Sequence, residues 1–509
     1  MEKLFNKLKE EQYKIPFISG MIIGLLTHIV MLVNKYPNTD SMTNFYFDQN
    51  MITSGRWFLV VACGISSFYD LNFVNGFLAI VFISISSVFV TRYFDVKKRS
   101  LMILIPAIMA TFPAVAATMS YMYTVDGYML GLLLSVLAAY VAKKHKWGFA
   151  LGAVFLAFSM GTYQAYISMT ILLCLFDIFL GIIEKEDIYD VWNRGFRYMI
   201  MGIMGGGLYY GILKLLLLIE HKELGDYQGI NEMGKIPLSS IPERMYKIFY
   251  DFGGFALRGR IFVNNIYTMV IVCVIISAAF TAVVLLFIKN EAYKKWYSYL
   301  MIVLIIVLIP FGSSIMYLMS SGVEYHLLMR MHWELFLVLA VVLFERVFAA
   351  YESSKDRMKF VRAIAVILMA LLCYNFFLID NIAYFNLQQK YEKTYAYCVR
   401  LLDRIEQTDG YYRGMPVALV GRISKDSYPT TNLTAPITDK IQGTDEDFLI
   451  YKGEQYREFM KNYLGASVNI VEGEIVEDMY FSEEYSTMTS FPDKGSIKIV
   501  NGVMFIKLE

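Results

Sequence analysis

The sequence is poor in charge, in cysteine and in recognisable catalytic motifs. Charged residues make up 18% of its 509 positions, and the formal net charge is +1. A soluble chain of this length carries a larger charged fraction, and a nucleic-acid-binding chain needs a basic face, so both classes are excluded. The five cysteines, Cys63, Cys174, Cys273, Cys373 and Cys398, show no CxxC or other ligand spacing. They read as small buried hydrophobes and give neither a disulfide framework nor a metal site. No P-loop, nucleophile elbow or dinucleotide fingerprint is present, and no internal repeat or low-complexity tract is evident. His326 and His332, near Glu324 and Glu334, are spaced i, i+6 and so do not share a helical face, which argues against a metal.

What is abundant is apolar surface: 57% of residues are hydrophobic and 16% aromatic. Together with interfacial Tyr and Trp, that composition fits a helical polytopic membrane protein. A span needs roughly 20 apolar residues to cross about 30 Å of hydrocarbon. Runs near that length lie at about 17–34, 70–91, 100–119, 126–142, 147–163, 165–183, 197–218, 264–288, 297–318, 328–349 and 362–382. They predict a bundle of about eleven transmembrane helices. Met1–Lys14 is basic, and no small-residue cleavage site ends the first run, so it reads as a signal anchor. Segments 1–14, 92–99, 143–146, 185–197, 289–295 and 346–362 each hold at least three Lys or Arg, whereas 120–125, 163–165 and 319–327 hold almost none. That bias predicts a cytoplasmic N-terminus. An odd number of spans then leaves residues 383–509 outside.

The composition changes abruptly after residue 382, which predicts a transmembrane domain over 1–382 and a small extracytoplasmic α/β domain over 383–509. In the latter, 386–407 and 454–464 read as helices, and PVALVG at 416–421 and VNIV at 468–471 as strands. SIKIV and VMFIKL, joined at Asn501-Gly502, read as a hairpin. Two outside loops are long, 35–69 and 220–265. The second contains PERMYKIFYDF, an amphipathic pattern suited to the interface plane.

Candidate chemistry gathers at the outer boundary. Asp40, in KYPNTDSMTNFYFDQN, would stand at headgroup height, where a general base could serve a water-soluble acceptor while a lipid-linked donor stays in the bilayer. An ordinary solvated loop acid is the plainer reading, more so for Asp48. Arg56 in SGRW offers a planar donor fork for phosphate, or snorkels to headgroups, and Trp57 could anchor the same segment. Asp126 could face Asp40 across an outward cavity, or simply complement a helix N-terminus. Tyr163 and Gln164, in a tight polar turn, could hydrogen-bond a sugar. Arg330 and Lys214 are cations near hydrocarbon, both close enough to helix ends to snorkel. The glycine run MGIMGGGLYY at 201–210 reads as helix packing.

Taken together, NTDS, SGRW, YTVDGY at 123–128 and GTYQAYIS at 161–168 resemble bacterial membrane glucosyltransferases of the O-antigen-modifying Gtr type II family. DYQGI at 226–230 and the closing SFPDKGSIKIVNGVMFIKL look similar to its low-GC Gram-positive members. The resemblance runs in order along nearly the whole chain. It implies a GT-C-like fold and transfer of a glucosyl or related hexosyl group from polyprenyl phosphate, with inversion, without a cofactor. The acceptor would be a cell-surface or teichoic-acid-like glycan outside the bacterial plasma membrane. By this resemblance Asp40 is the general base and Asp126 a second acid, with Arg56, Arg330 and Lys214 on the donor phosphate and Asp48, Tyr163 and Gln164 near the sugars. Thr39-Asp40 stands where many members carry a paired acid. A lipid-linked polysaccharide polymerase or ligase would share the cations. A secondary transporter would instead show repeats and midplane charges.

Overall fold

A backbone inside lipid can satisfy its N–H and C=O groups only internally, and each apolar run folds accordingly as helix. The computed structural model describes residues 10–48, 50–232, 237–257, 265–320, 322–351, 355–423, 434–445 and 448–508. The first helices in chain order are α1 (Glu11–Val33), α2 (Leu59–Gly64), α3 (Asn72–Tyr93), α4 (Arg99–Thr111), α5 (Pro113–Met119), α6 (Val125–Lys144), α7 (Gly148–Thr162) and α8 (Ile167–Ile183). They are followed by α9 (Ile188–Ile219), α10 (Ile241–Leu257), α11 (Ile266–Lys289), α12 (Trp296–Ser313), α13 (Met316–Met319), α14 (Glu334–Ala350) and α15 (Lys355–Glu406).

Among the described residues nine helices are long and apolar enough to cross a membrane. Two expected spans differ from that pattern. The run at 100–119 is broken between α4 and α5 with a bend of 43°, because Pro113 lacks an N–H and holds Phe112 in an extended conformation. The run at 147–163 is the 15-residue α7. The helix of the last apolar run does not stop at 382 but is continuous with the one expected at 386–407, forming α15 to Glu406.

The chain forms two compact units: one from the residues up to Asn34 with Phe47–Asn381, the other from Lys35–Tyr46 with Ile382 onward. In the first, α1 packs on α3 and α4, α3 on α6, α6 on α7, and α7 on α9. At the Lys143 end of α6 a buried hub ties three helices together. Asp177 of α8 receives Lys143 Nζ at 2.6 Å, Arg194 Nε at 3.1 Å and the Tyr198 hydroxyl at 2.8 Å. At the same end Glu345 accepts the N–H groups of Lys97 and Lys98 at 2.7 and 3.0 Å, which pins the loop between α3 and α4. The glycine run on α9 serves packing only in part. Gly205 faces Leu156 and the Ala153 carbonyl, but a Cβ at Gly202, Gly206, Gly207 or Gly211 would meet no atom within 4 Å.

In the second unit a four-stranded sheet has the order β2-β1-β4-β3, from β1 (Pro416–Val420), β2 (Asn469–Val471), β3 (Ile497–Val500) and β4 (Val503–Lys507). β1 runs parallel to β2 and β4, and β3–β4 is the Asn501-Gly502 hairpin, both turn residues having positive φ (50° and 79°). One face is covered by Tyr397, Leu401 and Ile405 of α15 with Phe459 and Met460 of the helix Gly453–Leu464. The other packs on Met479 and Met488.

Lys35–Tyr46 belongs to this second unit for a specific reason. Met42 is fully buried in its core, the Met42 carbonyl accepts Asn462 Nδ2 at 3.2 Å, and Phe45 packs on Tyr463. Within NTDS, the Asn38 and Ser41 side chains hydrogen-bond each other at 2.6 Å, and Asn38 Oδ1 also accepts the Ser41 N–H at 2.8 Å. Both are buried, which leaves Asp40 exposed at the tip of the turn.

Candidate active site

Gly55 decides the geometry of SGRW. Its φ of +75° is left-handed, and a Cβ there would stand 2.5 Å from Gln164 Nε2 and 2.6 Å from the Tyr209 hydroxyl. Only glycine lets the backbone approach those two side chains. They hold it in return: Gln164 Nε2 donates to the Ser54 carbonyl at 2.8 Å and the Tyr209 hydroxyl to the Gly55 carbonyl at 3.1 Å. Trp57 is not at an interface but buried, with its ring against Phe158, Tyr209 and the bare backbone of Gly161.

With the segment locked on both sides, Arg56 projects into a narrow crevice of about 40 Å³. Its Nη1 donates to the Tyr128 hydroxyl at 3.1 Å, and its guanidinium lies 4.8 Å from the centre of the Tyr163 ring. Gln164, Ile230, Ser320 and Met329 complete much of the lining. Ile230 brings the DYQGI segment to the crevice, where the Gly225 N–H donates to the Thr53 carbonyl at 2.9 Å; the side chains of Tyr227 and Gln228 lie outside the described residues.

Arg330 lies just beyond Met329 and is 5% exposed. Its fork is already engaged, with Nη1 and Nη2 donating to the two oxygens of Asp251 at 2.9 and 2.6 Å, and Nε and Nη2 to the Tyr325 carbonyl. The rings of Tyr325 and Phe255 flank the guanidinium at 4.3 and 4.6 Å. Burial raises the Tyr325 phenol, against the pull of Arg330, so its hydroxyl stays a donor, to the Ser313 carbonyl at 2.8 Å. Asp251 comes from PERMYKIFYDF, which forms α10 with one face on the bundle and Tyr246, Phe249 and Tyr250 exposed on the other.

Two carboxylates are fully buried near this region. Asp126, on α6, lies beside Cys63 and Ser66 of the α2 end. Tyr128, two residues on, reaches Arg56 from another side of the helix. Glu334, at the start of α14, interacts electrostatically with Tyr166, as do Tyr163, Tyr128 and Arg56. Among the described residues neither oxygen of Glu334 has a hydrogen-bond partner.

The structure therefore brings Arg56, Tyr163 and Gln164 together. Asp126 and Arg330 do not line the crevice, and Lys214 is exposed on α9 over the Tyr210 ring. Asp48 is exposed and accepts the Asn50 N–H at 3.1 Å. Asp40 lies in the second unit. His332 is buried and His326 sits 3.7 Å from Glu324. Among the described residues no group of three or more His, Cys, Asp or Glu could hold a metal ion. Asp251 and the tyrosines at 128, 166 and 209 were not singled out from sequence, and Glu334 was weighed only as a neighbour of the two histidines; only the i, i+7 spacing of Arg244 and Asp251 on one amphipathic face could have marked Asp251.

A family model described as glucosyl transferase GtrII matches residues 29–343, a stretch that contains every residue lining the crevice. No curated protein and no solved structure matches the chain.

Proposed function

Because the chain belongs to the glucosyl transferase GtrII family and is a multi-pass membrane glucosyltransferase, we propose that its donor is a polyprenyl-phosphate glucose used on the outer face of the bacterial cell membrane. The observation that carries this reading is Arg56, a guanidinium held in a crevice with hydroxyl and amide groups, at the helix ends opposite the Lys- and Arg-rich ones. The positive-inside bias supports reading that end as the exterior and the N-terminus as cytoplasmic.

In the proposed reaction an acceptor hydroxyl of a surface glycan attacks the anomeric carbon as the bond from that carbon to the phosphate oxygen breaks. Charge grows on the departing polyprenyl phosphate, and Arg56 stabilises it where water is scarce. Tyr163 and Gln164 orient sugar hydroxyls. Asp40, an exposed acid, is proposed to take the acceptor proton, with Asp126 as a second acid and Asp48 near the acceptor. Arg330 would reach a phosphate only by releasing Asp251, and Lys214 only from the exposed face of α9.

Purified protein given synthetic polyprenyl-phosphate glucose and a surface glycan should release polyprenyl phosphate. Arg56→Ala should lower kcat by roughly a hundredfold or more, and Asp40→Asn should abolish turnover in a protein that still folds. No release by the wild type rejects the donor, and full turnover by Asp40→Asn rejects that residue as base.

A further inference from the structure

A helix on a water-facing surface turns its charges outward and its apolar side inward. The helix α10 does otherwise. Arg244, 2% exposed, and Asp251 lie on its buried face with Ile248 and Phe255. Its outward face carries rings: Tyr246, Phe249 and Tyr250 are 46–67% exposed, and the two tyrosines stack at 5.7 Å. At the edge of that face Lys247 and Glu243 neutralise each other at 2.8 Å. Phe249 packs edge-on against Phe311 of α12 at 5.3 Å, and one turn back Val307 and Leu308 of that span are exposed. The aromatic face thus continues the apolar outside of a membrane-spanning helix.

The two buried charges grip α13. Asp251 accepts the Ser314 hydroxyl at 2.9 Å, just before that helix, and Arg244 Nη1 donates to the Tyr317 and Leu318 carbonyls, both at 3.3 Å, near its end. Each charge complements the end of the helical turn that it meets. A four-residue helix does not hold itself together, so α13 takes its place from α10. Met316, Met319 and Ser320 of this segment line the Arg56 crevice. DYQGI leans on the same segment, since a Cβ at Gly229 would stand 2.6 Å from Ser320 Oγ.

The crevice, at about 40 Å³, has room for about three water molecules, less than a hexosyl ring needs. A wall must therefore move to admit one. The Arg56 segment is fixed by Gln164 and Tyr209, which leaves the α13 segment. We infer that α10 is a bracket docked on the lipid surface: its Tyr246–Phe249–Tyr250 face sits in the headgroup layer of the bilayer, where aromatic rings are favoured, and its Arg244–Asp251 face sets the position of α13. Contact with lipid thereby fixes the width of the crevice, and Arg244 is a positioning residue for the reaction. The kinetic part of the test rests on the proposed donor; the placement of α10 does not.

A photoreactive residue at position 246, in full-length protein reconstituted into phosphatidylglycerol vesicles, should capture phospholipid. Capture of a second copy of the chain, or no capture of lipid, overturns the docking surface. Replacing Tyr246, Phe249 and Tyr250 together by Ser strips the face and keeps both grips. With polyprenyl-phosphate glucose, KM of that variant should rise roughly tenfold while kcat changes less than about twofold. Arg244→Gln should behave alike, and Arg244→Lys should recover part of the loss. Trp296→Ser, which removes an exposed ring at the far end of α12, should leave both constants unchanged. Unaltered kinetics in the triple variant, or a fall in kcat alone, overturns the positioning role and leaves the donor reading intact. Should the wild type turn over no such donor, the proposed function fails, and amide exchange over residues 316–320 in vesicles decides the bracket. Exchange roughly tenfold faster in the triple variant supports it, and equal exchange overturns it.

Discussion

The Arg330–Asp251 pair offers the sharpest energetic test of the structure. The side chains are 6% and 13% exposed, the fork is bidentate, and Asp251 also accepts the Ser314 hydroxyl at 2.9 Å. The pair joins α10 to the segment before α14, and Trp333 sits beside it against Phe252 and Phe255 at 5.1 and 4.4 Å. Asp251→Ala would leave a buried guanidinium without its counter-charge, which costs roughly 3–5 kcal/mol. Arg330→Met strands the carboxylate and should cost about as much. The double variant buries neither charge, so its loss should fall short of the sum by roughly 2 kcal/mol or more. Equilibrium unfolding in mixed micelles, followed by tryptophan fluorescence, gives all four corners of the cycle. Strictly additive losses, or single losses below about 1 kcal/mol, would refute the reasoning that this pair clamps α10 to the bundle.

Gly55→Ala should destabilise by roughly 2–4 kcal/mol, from the left-handed backbone and from overpacking against Gln164 and Tyr209. Gly211→Ala, where the added carbon meets nothing, should instead gain up to about 1 kcal/mol of helix propensity; equal thermal midpoints for the two would sink the argument. Asp177→Asn removes the charge shared by Lys143 and Arg194 and should cost roughly 3–5 kcal/mol, read as a lower midpoint; an unchanged midpoint would show the hub to be dispensable. Glu334→Gln replaces a buried carboxylate that has no hydrogen-bond partner among the described residues by a neutral isostere, so stability should hold or rise. A loss of about 2 kcal/mol there would mean that the charge itself is used.

Much of the architecture was readable because it is local. Apolar run length marked the spans, the Asn501-Gly502 turn marked the hairpin, and the amphipathic period marked α10. Even the α4–α5 break had its sign in Phe112-Pro113, although the run around it read as continuous. The candidate site was legible only in part. Arg56, Tyr163 and Gln164 announced themselves as polar residues at the ends of apolar runs, and they do meet. Pattern could not show that Met42 is buried among residues some four hundred positions later, which carries Asp40 into the second unit. Nor could it show that Arg330 closes on Asp251, or that four glycines of α9 face open space while Gly205 packs. Periodicity is set by neighbours along the chain, but the partner of a buried charge and the filling of a gap depend on which distant surfaces pack together, and only the tertiary structure decides that.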